Sequence, residues 1–298
     1  MVRISDVFEE HRSLLFAVAY RMLGTVADSE DIVQDAWLKW SAVDRPEVVE
    51  PKAYLIRIAS NLALDRLRSA QVRRESYVGP WLPEPLLTSP DVAEDAEMAE
   101  SVSMAMLVVL ETLTPLERAV FVLHEVFGFP FGEIAESLDR SEASVRQLGH
   151  RAREHVQARR PRFETGREQR RAATERFLAA ALGGDLNQLM AALAPEVMLW
   201  TDGGGKVRAA LRTISGAAKV ARWLVAVSDQ THAGVEPRDM RFRQTDLNGL
   251  PGIVIDGPAG PITTITVDID DLGRVIAVHL VANPDKLRAL AEGRELPL

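Results

Sequence analysis

Arg146, Gln147, His150, Arg151 and Arg153 crowd into little more than two turns of a potential helix. Arginine and glutamine can place paired hydrogen bonds on base edges in a major groove, and arginine also neutralises phosphate. Between Arg140 and Arg162 there are seven arginines against two glutamates, in a chain whose net charge is −8. That contrast marks a local positive field rather than a generally basic protein. The bland alternative is the solvated face of an ordinary helical hairpin. A second group, Trp200, Asp202 and His279, could line an apolar pocket in which a carboxyl with a raised pKa would act as an acid or base. Against catalysis stands a simpler reading, which we prefer. Asp202-Gly203-Gly204-Gly205-Lys206 is a tight turn that exploits positive φ, with Asp202 and Lys206 pairing across it. It is no phosphate loop, because GxxxxGK[ST] is absent. No His or acid cluster has metal-ligand spacing, so neither a metal nor a cofactor is expected.

The basic residues need a helix that keeps its apolar side against something else. Val145, Leu148, Ala152 and Val156 supply that side at spacings of three and four. Upstream, Thr114-Pro115-Leu116-Glu117 is a helix start with a capping box and a proline where its missing N–H costs nothing. Leu116, Val120, Leu123 and Phe127 share one face, and Gly128 ends the helix. A short helix carrying Ile134, Ala135 and Leu138 follows. Asp139-Arg140 then turns the chain into the basic helix, with Ser141 as its cap. A helix-turn-helix is therefore predicted over 114–153.

The first 75 residues also read as helical. Phe8, His11, Leu15, Val18 and Met22 form one stripe, and Gly24 breaks it. The next helix starts near Thr25. It turns Ile32, Ala36 and Trp40 inward and Asp28, Asp31, Gln34 and Asp35 outward, either as a solvated face or as a dock for a basic partner. After Pro46 and Pro51 comes a long helix with Leu55, Ile58, Leu62 and possible Asp65 inward. Its Arg57, Asn61, Arg66 and Arg68 face solvent or phosphate, and Arg73 and Arg74 extend its basic end. A proline-rich stretch, ESYVGPWLPEPLLTSP, and an acidic one, DVAEDAEMAE, lead to the hairpin.

Beyond the basic run ARRPRFETGREQRR, broken by Pro161 and Gly166, the pattern changes. Residues 172–193 are predicted helical, with Phe177, Leu178, Leu182, Leu189 and Leu193 buried, and a second helix starts at Gly216. Residues 252–256, 262–270 and 274–282 are rich in Val, Ile and Thr, and Asp271-Leu272-Gly273 makes a hairpin turn. Helices followed by an antiparallel sheet indicate α+β. The 298 residues allow two or three domains, and 47 % hydrophobic content allows real cores. The chain has no cysteine, which excludes disulfides and fits a reducing compartment. No signal core or membrane-length run is present, so a cytoplasmic protein is expected.

Three stretches in this order, GTVADSEDIVQDAWLKW, PKAYLIRIASNLALDRLRS and the Thr114–Arg153 block, resemble an extracytoplasmic-function sigma factor of bacterial RNA polymerase. The resemblance implies two all-α domains, 1–75 and 106–160, joined by a linker at 76–105. By position it implies that Asp28, Asp31, Gln34 and Asp35 dock on the polymerase core through its beta and beta-prime subunits. Asn61, with Arg57 and Arg68 beside it, would meet the −10 promoter element. Arg146, Gln147, His150, Arg151 and Arg153 would meet the −35 element. After a second linker at 161–171, residues 172–298 resemble a SnoaL-like domain of α+β cone fold. Trp81-Leu82-Pro83-Glu84-Pro85, Asp202-Gly203-Gly204-Gly205-Lys206 and Asn283-Pro284-Asp285-Lys286-Leu287 resemble the signatures of the SigJ-type sigma subgroup. They imply inter-domain regulation in cis, in a monomer, with room for a small apolar ligand in the last domain. Two other classes compete with this reading. A stand-alone helix-turn-helix repressor leaves the first domain unexplained. An enzyme domain of cyclase or isomerase type, fused to a DNA-binding regulator, would turn over a small substrate without DNA.

Overall fold

The computed structural model describes residues 4–42, 50–88, 101–159 and 166–296. The chain divides into two compact units. One is built from Met1–Glu75 and Met106–Arg160, the other from Ser76–Ala105 and Pro161–Leu296. The chain therefore leaves the helical unit after α3, contributes its inter-domain linker to the second unit, and returns. The acidic stretch at 91–100 and residues 160–165, with Pro161, lie outside the described residues, as does Pro46.

In the helical unit, α1 (Ile4–Leu23), α2 (Val26–Ser41) and α3 (Pro51–Arg74) pack together. Phe8, Leu15, Val18 and Met22 are buried as their spacing requires, and so are Ile32, Ala36 and Trp40. The α3 register differs from expectation. Leu55, Ile56, Ala59, Ala63, Leu67 and Ala70 point inward, while Asp65 is exposed and pairs with Arg68. The small side chains Ala59, Ala63 and Ala70 are buried but carry a weak periodic signal, so spacing alone does not find this face.

The second half of this unit starts with α4 (Met104–Leu110) and α5 (Pro115–Phe121). Thr114 caps α5 with the full reciprocal capping box to Glu117. A π-helical turn, Val122–Val126, continues α5 before Gly128 ends it at φ 71°. Then come α6 (Phe131–Leu138) and α7 (Glu142–Arg159), joined through Asp139 in the left-handed region at φ 51°. Arg118 is 1 % exposed; its Nε donates to the Arg21 carbonyl at 3.0 Å, and its Nη1 pairs with Glu111. Glu111 also binds Arg74, which donates to the Leu23 carbonyl at 2.7 Å. Arg74 thus belongs to a buried network, not to a basic surface.

The second unit has α8 (Arg167–Leu182) and α9 (Leu186–Ala192), and not one helix over 172–193. Gly183 and Gly184 end α8, and the Asp185 side chain caps α9 by accepting from Asn187 and Gln188 amides. As a result Leu182 is 44 % exposed while Phe177, Leu189 and Leu193 are buried. α10 is Ala217–Ser228 and the last helix, α11, is Arg288–Ala291.

The sheet contains β1 (Leu87–Thr88), β2 (Leu193–Asp202), β3 (Ile214–Ser215), β4 (Arg241–Leu247), β5 (Leu250–Gly257), β6 (Gly260–Ile269), β7 (Val275–Val281) and β8 (Glu295–Leu296). Their order is β3-β2-β7-β6-β5-β4-β1-β8. The sheet is mixed rather than antiparallel, because β2 runs parallel to β7, pairing Trp200 with His279. Val197, Leu199, Val278, Ile265 and Ile253 join Phe177 and Val220 in the core between this sheet and the helices. The opposite face carries Trp200, Asp202, His279 and Thr266 by strand alternation.

Candidate functional site

On α7, Val145, Leu148, Gly149, Ala152 and Val156 are buried, which leaves Arg146, Gln147, His150 and Arg151 in solvent. Gly149 fits against Phe131 of α6, whose ring would stand 3.0 Å from an added Cβ. Close packing of α6 on α7 therefore fixes the pitch of the basic face. Arg146 is held by Glu142 at 2.5 Å, one turn away, and lies over the Phe131 ring. Arg153 is tied to Glu125 at 2.5 Å, whereas Arg151 stands 3.6 Å from Glu117. The surface is basic, and Arg146, Arg153 and, more loosely, Arg151 are each paired with a carboxylate of the same chain.

On α2, Asp31 and Gln34 are exposed, and Asp28 and Asp35 are half-buried. Arg66 of α3 holds Asp28 at 2.7 Å and Asp31 at 3.4 Å. The outward acids therefore have an internal partner that sequence spacing could not reveal. Arg57 and Arg68 are exposed on α3. Asn61 is not free: its Nδ2 donates to the Ser137 carbonyl of α6 at 2.8 Å. Arg57 and Tyr54 line a crevice that Phe129, Glu133 and Ser137 close from the other side.

In the second unit the three glycine- and proline-rich signatures meet. Asp202, at the end of β2, has no exposed surface. Its carboxylate accepts from the Tyr77 hydroxyl at 2.6 Å, the Leu82 amide at 2.8 Å, the Gly204 amide at 3.1 Å and Lys286 Nζ at 2.7 Å. Lys286 also donates to the Leu82 carbonyl, and its ammonium lies 4.0 Å from the Trp81 ring centroid. Asn283 donates to the Tyr77 oxygen at 2.8 Å. Burial, and then the Asp202 carboxylate, raises the Tyr77 phenol above its ordinary range. The linker continues as β1, which pairs with β4 and β8, and Asn248 exchanges two hydrogen bonds with Leu86.

Several expectations fail here. Lys206 pairs not with Asp202 but with Asp285, at 2.5 Å. Lys286 and Leu287 are buried, at 5 % and 3 % exposure. Pro284 and Asp285 complete the turn that presents Asn283 and Lys286. Gly203 and Gly204 are required by contact: an added Cβ would come within 2.3 Å of the Val207 oxygen and of Asn283 Nδ2 respectively. Gly205 packs beside Val78. Trp81 is half-buried and Pro83 is buried. Neither the cavity of this unit nor the crevice beside α3 is lined by Trp200, Asp202 or His279. Trp200 stacks on His279 with ring centroids 5.0 Å apart, and burial pushes the His279 imidazole down to about 4. The apolar cavity of this unit lies on the other side of the sheet, against α8 and α10. Tyr77 and Asn248 were missed. A tyrosine before a proline-rich run and an asparagine at a turn have no periodic signal, though Asn248-Gly249 is a turn pair whose Asn248 sits at φ 50°.

Residues 7–73 match the Sigma-70 region 2 family and residues 103–156 match Sigma-70 region 4. Over 305 aligned residues the chain is 41 % identical to the ECF RNA polymerase sigma factor SigJ of Mycobacterium tuberculosis, covering 97 % of this chain and 96 % of that one. The chain belongs to the ECF family of RNA polymerase sigma factors. The crystal structure of Mycobacterium tuberculosis SigJ is similar to this sigma factor with a TM-score of 0.74 and 38 % identity, covering 96 % of this chain and 98 % of that one. ECF sigma factor SigG of the same organism is 27 % identical over 92 % of this chain and 79 % of its own. The region 2 match spans α1 to α3, and the region 4 match spans α4 to α7. The grip of Asp202, Asn283 and Lys286 on the linker lies outside both matches, so the promoter-reading parts of this sigma factor do not account for it. Among the described residues no helix is long and apolar enough to cross a membrane.

Proposed function

We propose that this sigma factor is controlled in cis by its second unit, which holds the linker between the two promoter-reading domains. The supporting observation is the buried Asp202–Lys286 pair, whose further partners on Tyr77, Trp81 and Leu82 all belong to that linker. The grip is intramolecular, so an effective concentration of about millimolar keeps it closed without a large interface. Core polymerase opens it by preferring the extended linker, a population shift. Core polymerase is engaged through its beta and beta-prime subunits by Asp28, Asp31, Gln34 and Asp35. The −10 element is read around Asn61, with Arg57 and Arg68 on phosphate. The −35 element is read by Arg146, Gln147, His150 and Arg151, with Arg153 on the backbone. The protein works as a cytoplasmic monomer.

The last domain is not catalytic in this reading. Asp202 spends its acceptor capacity on four internal donors, and the neutral His279 is buried under Trp200. A small apolar molecule in that domain would act as a regulator. Run-off transcription with core polymerase tests the proposal. Truncation near Arg162 and the milder Tyr77→Phe should both change output strongly. A truncated protein that transcribes as the full chain does would overturn it. So would substrate turnover by the full chain that Asp202→Asn abolishes.

A further inference from the structure

The second unit holds a cavity of about 230 Å³ between α8, α10 and the core face of the sheet. An apolar cavity of about 150 Å³ is enough for benzene, so this one has room for a two-ring molecule. Trp223, Leu224, Ile255 and Leu280 supply apolar walls. Leu182 and Phe242, 44 % and 40 % exposed, are also part of the lining and give it an open side.

Two polar groups break the apolar lining. The Thr263 hydroxyl lies 2.7 Å from the Ile262 carbonyl and 2.8 Å from His232 Nε2, so that ring nitrogen is already engaged. Whichever way the proton between Nε2 and Thr263 lies, Nδ1 remains for a further hydrogen bond, and a hydroxyl group, which both donates and accepts, can serve it. Burial also lowers the His232 pKa, in keeping with the neutral form. Arg208, held by Gln230 at 2.9 Å, also lines the cavity and keeps other N–H groups for a neutral oxygen acceptor.

Arg208 and Ala209 connect the cavity to the grip. They form part of its wall and belong to the loop that begins at Gly203. Gly203 has no room for a Cβ because the Val207 oxygen and Ala209 Cβ close over it. The Thr201 hydroxyl staples the far end of the loop, accepting from the Ala210 amide at 2.8 Å and donating to its carbonyl at 3.1 Å. The near end carries Gly204 against Asn283 and Lys206 on Asp285. A wall of the cavity and one jaw of the grip are therefore the same short, stapled segment.

We propose that this cavity binds an uncharged aromatic alcohol, and that its occupancy tightens the hold on Tyr77–Leu82 through the loop 203–210. The binding half is independent of the regulatory reading above; only the coupling half rests on it. A ligand that binds the gripped form shifts the population toward it.

Calorimetric titration of the full chain with 2-naphthol should give saturable one-to-one binding, about tenfold tighter than naphthalene, as one hydrogen bond would provide. His232→Phe should remove that preference and leave the weaker binding. Ala181→Trp, which fills the cavity, should abolish both. No saturable binding, equal affinity for the two probes, or binding that survives Ala181→Trp would overturn the site. Amide exchange at Leu82 and Gly204, both donors to Asp202, should slow several-fold when 2-naphthol is bound. Binding with unchanged exchange there would overturn the coupling. The truncation experiment judges the regulatory reading separately, since it involves no ligand.

Discussion

At the scale of single residues, the grip is a buried charge pair whose partners are spread over three stretches of chain. Removing one member strands the other. Asp202→Ala should therefore destabilise the second unit by about 3–5 kcal/mol, read as an earlier unfolding transition of that unit. Tyr77→Phe deletes two hydrogen bonds without stranding a charge and should cost only about 1–2 kcal/mol. The contrast matters for function: an effect of Tyr77→Phe on transcription cannot be blamed on collapse of the domain. His279 gives a pH signature. Its folded value of about 4 lies below the ordinary 6.5 because burial penalises the imidazolium. Above pH 6.5 its contribution to stability is fully present. As pH falls toward 4 the unfolded chain takes up the proton first, and about 3 kcal/mol is lost before the effect levels off. Denaturant titrations at stepped pH should show this slope, and His279→Phe should flatten it.

At the scale of elements, α3 and α7 are positioned by different means. α7 depends on close packing with α6 through Gly149 and Phe131. α3 depends on the network that Glu111 builds between Arg74 and Arg118. Glu111→Gln leaves two buried guanidinium groups facing a neutral amide. It should cost about 3 kcal/mol in the helical unit, measured by chemical denaturation. The basic helix makes its own prediction. Arg146→Ala or Arg151→Ala in the holoenzyme should lose about 1–3 kcal/mol of promoter affinity and relax selectivity at one base. Arg153→Ala should weaken all promoters alike and reduce the salt dependence. Equal losses for all three on every promoter would refute that division.

At the scale of the whole molecule, the chain path matters most. The linker of the sigma domains belongs to the second unit, so displacing it alters the tether between the region 2 and region 4 domains. Within the helical unit, Asn61 already donates to Ser137 of α6, so a base that takes this donor competes with the α3–α6 contact. The absence of cysteine makes this easy to measure. Dyes on Lys52→Cys and Glu136→Cys, both exposed positions, should lose energy transfer when core polymerase is added. Transfer that stays constant through holoenzyme assembly and promoter opening would mean that no base displaces the α3–α6 contact at Asn61. Reversing charge at Asp31 and Asp35 should weaken holoenzyme assembly by gel filtration while leaving the fold in place.

The sequence alone determined the elements whose signals are local. The Thr114 capping box, the Asp139 turn, the apolar stripe of α7 and the strands after Gly234 follow from spacing and turn chemistry within a few residues of each other. The order of the helical motifs carried the family resemblance for the same reason. Tertiary structure decided what depended on distant partners. It gave Asp202 to Lys286 rather than Lys206, because β2 and β7 run in parallel and bring position 202 to the turn after Val281. It gave the inward face of α3 to alanines, whose small size matters only against a neighbouring helix. It turned Trp200, Asp202 and His279 away from the cavity, because alternation along a strand puts them on one face and the cavity wall on the other. Arg66 on Asp28 and Asn61 on Ser137 likewise join helices that no periodic pattern connects.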